Sequence, residues 1–247
     1  MKVMLINLDR DADRLAAADA QLKGLGIAYE RLSAVDARAM PLEEKRAAVN
    51  AFRWWCAIGR PVRDGEIGCA LSHFKAWEAM GADEAVCVLE DDVVLDPRFS
   101  ETLANVARTI DVRRPQVVLL SNHSAVTDFG NGFEGFRSAP DAPFSLAPSQ
   151  FDLFTEGYVI TRKAAEAIRR ANCPLQTPCD HWGRWVRQGH IELFHAIPTV
   201  CSQNKAGFAS STVDPGQLVV ADLSPVKWVG HKLKRLVGVA LDRLLTF

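Results

Sequence analysis

Three consecutive carboxylates, Glu90, Asp91 and Asp92, close a short apolar run that reads Ala85-Val86-Cys87-Val88-Leu89. Val86, Val88 and Leu89 predict a buried β-strand, because the run is too short for a globular helix and rich in β-branched residues. Gly81 punctuates the chain before it, and Asp96-Pro97 follows as turn or helix-start chemistry. The triplet therefore belongs at the carboxyl end of a central strand, the edge of an open α/β sheet where ligands bind. Three adjacent carboxylates repel one another, so either water solvates them or a cation compensates them. Oxygen ligands of this kind suit a hard divalent ion that also touches phosphate, Mg²⁺ or Mn²⁺. The plainer alternative is a solvated acidic turn after a strand.

The elements that must hold the triplet follow from periodicity. Residues 3–8 predict a first strand. Asp9, Asp11 and Asp13 then suit a helix amino terminus, Leu15, Ala18, Leu22 and Leu25 recur at helical spacing, and Gly24 and Gly26 supply the stop. Residues 27–35 predict a second strand ending at Asp36. This βαβ start predicts an α/β fold with a mostly parallel sheet and helices on its faces. A polar helix is expected over 41–50, and Ile67, Ala70, Leu71, Phe74 and Trp77 form the apolar stripe of another over 64–80. Phe99, Leu103, Val106 and Ile110 predict a further helix, and 116–120 a strand. The Gly-, Pro-, Ser- and Asp-rich stretch 122–150 predicts a loop or small hairpin over the ligand edge. Beyond it come extended structure over 151–161, a helix over 162–171, a helix opened by Pro178-Cys179-Asp180, a last strand over 191–196, and loop over 203–222. Arg53-Trp54-Trp55 fits none of these patterns.

With 247 residues, 48% of them hydrophobic, the chain can bury a full core. A formal net charge of −1 argues against a general nucleic-acid binder. None of the six cysteines forms a Cys-x-x-Cys pair, which argues against a zinc knuckle and for buried thiols in a reducing compartment. The amino terminus lacks the length of a signal peptide, and no apolar run is long enough to span a bilayer, so a cytoplasmic location is expected. Residues 1–223 read as one domain. The tail, 224–247, places Val229, Leu233, Leu236, Val237, Ala240 and Leu244 on one helical face and Lys227, His231, Lys234 and Arg235 on the other. Such a basic amphipathic helix fits either an anionic membrane surface, as a peripheral anchor, or packing on the protein body.

Four blocks together resemble glycosyltransferase family 25, which includes bacterial lipopolysaccharide galactosyltransferases and collagen galactosyltransferases. The first is Ile6-Asn7-Leu8-Asp9-Arg10 with Arg14, and the second Ala34-Val35-Asp36. The third, and most specific, is Gly65-Glu66-Ile67-Gly68-Cys69-Ala70-Leu71-Ser72-His73, followed by Leu89-Glu90-Asp91-Asp92. The fourth is Gly157-Tyr158-Val159-Ile160-Thr161 with Ala164-Ala165, then Pro178-Cys179-Asp180. Ala37 departs from the family's usual Gly. The resemblance implies a GT-A fold with mixed strands late in the chain. It also implies inverting transfer of a hexose, most often galactose, from a UDP-sugar to an acceptor such as a lipopolysaccharide core oligosaccharide or another glycolipid.

Within that resemblance the triplet takes the place of the DXD-type element, with Asp92 and Glu90 as metal ligands for Mn²⁺ or Mg²⁺. Asn7, Arg14, Asp36, Ser72, His73, Glu90 and Asp91 are the candidate donor-binding residues. Each also has an ordinary use: Asn7 and Asp36 as turn residues, Arg14 as a solvated helix arginine, His73 as a structural histidine. Asp180 is the candidate general base, with acceptor binding and helix capping as its alternatives. Two rival functions remain on sequence grounds. One is another metal enzyme, a nucleotidyltransferase or phosphohydrolase. The other is an inactive glycosyltransferase-like scaffold docked on a membrane.

Overall fold

The computed structural model describes residues 1–121, 143–150 and 152–204. The expected basic amphipathic helix over 224–247, its docking to an anionic membrane and most of the 122–150 loop lie outside the described residues. Strand β1 (Lys2–Asn7) runs into helix α1 (Ala12–Gly24), which returns to β2 (Glu30–Ser33). Two short helices follow, α2 (Leu42–Ala48) and α3 (Ala51–Ile58), and then the long α4 (Asp64–Glu78). The central strand is β3 (Ala85–Glu90). After it come β4 (Val93–Leu95), α5 (Phe99–Thr109), β5 (Gln116–Leu119) and β6 (Ser145–Ser149). The later elements are β7 (Gly157–Thr161), α6 (Arg162–Asn172), α7 (Trp182–Arg187), β8 (Glu192–Ile197) and β9 (Cys201–Gln203).

Among the described residues seven strands form one sheet in the order β2-β1-β3-β7-β5-β8-β6. β1, β2, β3, β5 and β8 point the same way, while β7 and β6 run against them. The sheet is therefore mostly parallel in strand direction, with its antiparallel members late in the chain, as the GT-A resemblance implies. Both faces are covered. One face places Met4, Ile6, Val86, Val88, Tyr158 and Ile160 against α3, α4, α6 and α7. The alternate residues, Val3, Leu5, Cys87, Leu89 and Val159, pack on α1 and α5. Burial on both faces explains why β3 reads as a continuous apolar run rather than an alternating one.

Four elements differ from expectation: α3, β4, β6 and β9. Trp54 and Trp55 lie in α3, whose ends are marked by Asn50, accepting the Arg53 amide at 3.1 Å, and by Gly59 at φ +80°. Trp54 is buried in the core. The segment 145–149, expected as loop or hairpin, is an edge strand pairing with β8. Pro148 is tolerated there because an edge strand has one side free of the ladder. Residues 201–203, expected as loop, form β9 and pair with β4 in a separate two-stranded sheet.

Candidate active site

Parallel pairing of β1 with β3 sets Ile6 opposite Glu90, so both strands end together and Asn7 emerges beside Asp91. Antiparallel β7 sets Gly157 opposite Leu89, and the Glu90 amide donates to the Glu156 carbonyl at 3.0 Å. Strand ends from 84 residues upstream and more than 60 residues downstream therefore converge on the triplet. They line a cleft of about 620 Å³, which the amino-terminal part of α4 and the segment before α7 also border. The cleft holds every candidate site residue read from sequence: Asn7, Arg14, Asp36, Ser72, His73, Glu90, Asp91, Asp92 and Asp180.

The three carboxylates have different surroundings. Asp91 Oδ1 accepts from Arg14 Nη1 at 2.9 Å, and Oδ2 accepts from Asn7 Nδ2 at 2.8 Å. Asp91 is thus tied to the protein on both oxygens. Burial raises its proton affinity, and Asn7 and Arg14 oppose that rise. Glu90 Oε1 faces His73 Nε2 at 3.1 Å and accepts from the Thr155 hydroxyl. Asp92 Oδ2 accepts from Gln203 Nε2 at 3.0 Å, and its Oδ1, buried, accepts no hydrogen bond among the described residues. Burial, reinforced by repulsion from Glu90, pushes the Asp92 carboxyl up to about 6. A buried carboxylate oxygen without a donor is costly unless a cation reaches it. The donor set fits a hard divalent ion: oxygen from Asp92 with Glu90 beside it, in a cleft where phosphate and water can supply the rest.

Several residues act as struts. Asn7 has its side chain fully committed: Nδ2 donates to Asp11 O and Asp91, and Oδ1 accepts from Arg31 Nε and Nη2. Ser72 donates to the Gly68 carbonyl at 2.6 Å and accepts the Val35 amide at 2.8 Å, so it pins the β2–α2 segment to α4. At the same joint a Cβ on Gly68 would sit 2.6 Å from Val35 O, which is why only glycine fits there. Asp36 pairs with Arg10 and accepts the Arg38 amide. His73 is buried between Tyr158 Oη, 2.7 Å from Nδ1, and Glu90. Desolvation pulls its imidazole down, but hydrogen bonds to Cys69 and Glu90 outweigh it and hold the ring protonated up to about 10.

Asp180 precedes α7 rather than capping it; the N-cap position is His181, whose side chain makes no capping hydrogen bond among the described residues. The Asp180 Oδ2 accepts the Phe154 amide at 3.2 Å. Phe154 holds φ +77°, an uncommon conformation for a bulky residue, and its carbonyl is fixed by Trp182 Nε1 at 2.8 Å. That bend turns Thr155 and Glu156 toward Glu90. Burial raises the Asp180 carboxyl, and nearby Glu90 adds to the rise against the pull of His181. Gln203, Thr155 and Arg31 were not legible as site residues: each is an unremarkable residue in sequence, brought in by the pairing of distant segments, while Tyr158, part of the fourth block, is buried and reaches His73 through its hydroxyl.

A model of "Glycosyltransferase family 25 (LPS biosynthesis protein)" matches residues 1–138, more than half of the 247. Among curated proteins, a glycosyltransferase 25 family member of Aedes aegypti is 37% identical over 109 residues, 42% of this chain and 18% of that protein. One from Drosophila pseudoobscura pseudoobscura is 30% identical over 184 residues, 70% and 28%. Procollagen galactosyltransferase 2 of Homo sapiens is 26% identical over 187 residues, 69% and 28%. The chain spans about half or less of the curated relatives it matches. Among solved structures, a glycosyltransferase involved in the glycosylation of the major capsid of PBCV-1 aligns at TM-score 0.31 and 12% identity, over 67% of this chain and 61% of that one.

Proposed function

The chain belongs to glycosyltransferase family 25, and from that premise we propose that it is an inverting hexosyltransferase, moving galactose from a UDP-sugar to a hydroxyl of a glycan or glycolipid acceptor. The observation that carries this reading is Asp92, which lines the cleft beside Glu90 just past the end of β3 and whose buried Oδ1 has no donor among the described residues. Asp92 and Glu90 would hold Mn²⁺ or Mg²⁺, which when bound neutralises the departing diphosphate. Galactose as the transferred sugar is suggested by relatives named procollagen galactosyltransferases.

The protein's own residues divide the remaining work. Asp91, tied to Arg14 and Asn7, fixes the end of β1 against the end of β3 and keeps Arg14 beside the triplet. Arg14 Nη2 lies 3.8 Å from Asp92 Oδ2, placing positive charge where diphosphate would gather negative charge. Arg10 and Asp36 line the same cleft and offer polar groups to the nucleoside. Asp180 takes the proton of the acceptor hydroxyl. Its raised proton affinity suits that task, because a general base works best when its pKa nears the working pH.

Calorimetric titration with UDP tests the metal assignment. The wild-type protein should bind UDP in the presence of Mn²⁺ and lose that binding with chelator. Asp92→Asn should weaken the Mn²⁺-dependent binding by roughly tenfold or more, about 1.4 kcal/mol. Equal UDP affinity with and without metal, or in wild type and variant, would remove Asp92 from the role.

A further inference from the structure

Cys69 lies in α4 and Cys179 in the segment before α7, 110 residues apart in sequence, with their sulfurs 3.8 Å apart. His73 follows Cys69 by four residues on α4, so both project from one face of that helix. The ligand atoms of the three lie within 4.8 Å of one another. We propose that Cys69, His73 and Cys179 form a binding site for a soft divalent ion, Zn²⁺ above all, at the wall of the cleft and different in ligand chemistry from the carboxylate site at Asp92 and Glu90.

Geometry supports this in three ways. Two thiolates bound to one tetrahedral zinc at about 2.3 Å each are separated by about 3.8 Å, the spacing the two sulfurs already have. A disulfide would instead require about 2.05 Å. Second, His73 is oriented as a ligating histidine. Its Nδ1 is held by Tyr158 Oη at 2.7 Å, and that oxygen is itself fixed by Trp77 Nε1 at 2.9 Å. This outer bond sets the ring and leaves Nε2 for the metal. Third, all three residues line the cleft, and Cys69 is only partly buried. An entry path therefore exists, and the fourth position would fall to water.

Binding exchanges two thiol protons and the Nε2 proton of the His73 imidazolium for the ion, Zn²⁺ plus two S–H and one N–H⁺ giving a zinc dithiolate with a neutral imidazole and three H⁺, with no change of oxidation state. The ion would bridge α4 to the segment before α7. It would also take Nε2 from its 3.1 Å contact with Glu90, which frees that carboxylate to act with Asp92. The site thus couples a brace in the cleft wall to the acidic edge, and it stands whether or not the chain transfers sugar.

Co²⁺ added to the full-length, reduced protein is the probe. The expected result is a single tight equivalent with thiolate-to-cobalt absorption in the near ultraviolet and tetrahedral bands in the visible, displaced by Zn²⁺. Cys69→Ser and Cys179→Ser should each abolish the thiolate band, while Cys173→Ser, an exposed cysteine, should keep it. Alkylation of the unmutated protein covers the case of variants that fail to fold. Zn²⁺ should slow modification of Cys69 and Cys179 at least tenfold and leave Cys173 unchanged, at a ratio read by mass spectrometry. Absence of the thiolate band, its persistence in both variants, equal alkylation with and without Zn²⁺, or a Cys69–Cys179 disulfide in the protein as purified would each overturn the proposal.

Discussion

Asp91 and Asp92 are adjacent in sequence and differ in what meets them. Asp91 is compensated by Arg14 and Asn7, whereas Asp92 keeps one buried oxygen without a donor among the described residues. Asp92→Asn should therefore lower the rate of transfer by at least about 100-fold, the loss of several kcal/mol of charge stabilisation, while the circular dichroism spectrum stays that of the wild type. Asp180→Asn should lower kcat by roughly 10²–10⁴ with UDP-sugar binding intact if it is the base; a raised acceptor KM with little change in kcat would assign it to acceptor binding instead. Glu156 gives a pH prediction. Burial pushes its carboxyl up to about 8, with Glu90, Asp152 and Asp92 adding to the rise. A carboxyl raised in the folded state favours the protonated fold, so it costs stability progressively as pH climbs from its ordinary 4.5 to about 8. Replacing this 3%-exposed group by the isosteric, uncharged Gln removes that slope. Glu156→Gln should raise stability relative to wild type at pH 8 by on the order of 4 kcal/mol, read as a higher Tm, and leave it nearly unchanged at pH 4.5. A Tm difference that is the same at both pH values would show that Glu156 does not titrate as its surroundings require.

At the scale of elements, the βαβ start, the stripe of α4 and the apolar β3 follow from periodicity, and the carboxylate triplet falls where a strand of that kind must end. Three strands, β4, β6 and β9, were not legible for a physical reason. β6 carries Pro148 and mostly small or polar residues, because an edge strand needs neither an apolar face on both sides nor a full set of amide donors. β9 is three residues long, and its partner β4 lies more than 100 residues earlier. That pairing nevertheless delivers Gln203 to Asp92. The double-Trp segment did carry helix signals, Asn50 and Gly59, but eight residues are too few to show a stripe. The joint between the β2–α2 segment and α4 gives the prediction at this scale. Gly68→Ala forces a Cβ to 2.6 Å from the Val35 carbonyl, with no flexible side chain to yield. Thermal unfolding should report a loss of about 1–3 kcal/mol, as expected for overpacking, together with weaker UDP binding as Ala34–Asp36 shifts away from the cleft. A neutral effect on both would mean the joint is loose.

For the molecule as a whole, the candidate residues read from the four sequence blocks all line a single cleft, drawn together from positions 7 to 180. What the sequence could not show is the division of labour inside it. Asn7 and Ser72, read as donor contacts, have side chains spent on Arg31, Asp91, Gly68 and Val35. Cys69 and Cys179, unpaired by any short spacing, meet at 3.8 Å. Such facts are set by register and crossover, which local patterns do not encode. Transfer at this cleft is proposed to use a UDP-hexose and to depend on a divalent metal. The most direct measurement is release of UDP from a panel of UDP-sugars, assayed with wild type and Asp92→Asn, with and without Mn²⁺. UDP release from UDP-galactose should require Mn²⁺, disappear with chelator and fall at least about 100-fold in the variant. Release that proceeds equally without metal, or inorganic phosphate or diphosphate as the product in place of UDP, would contradict it.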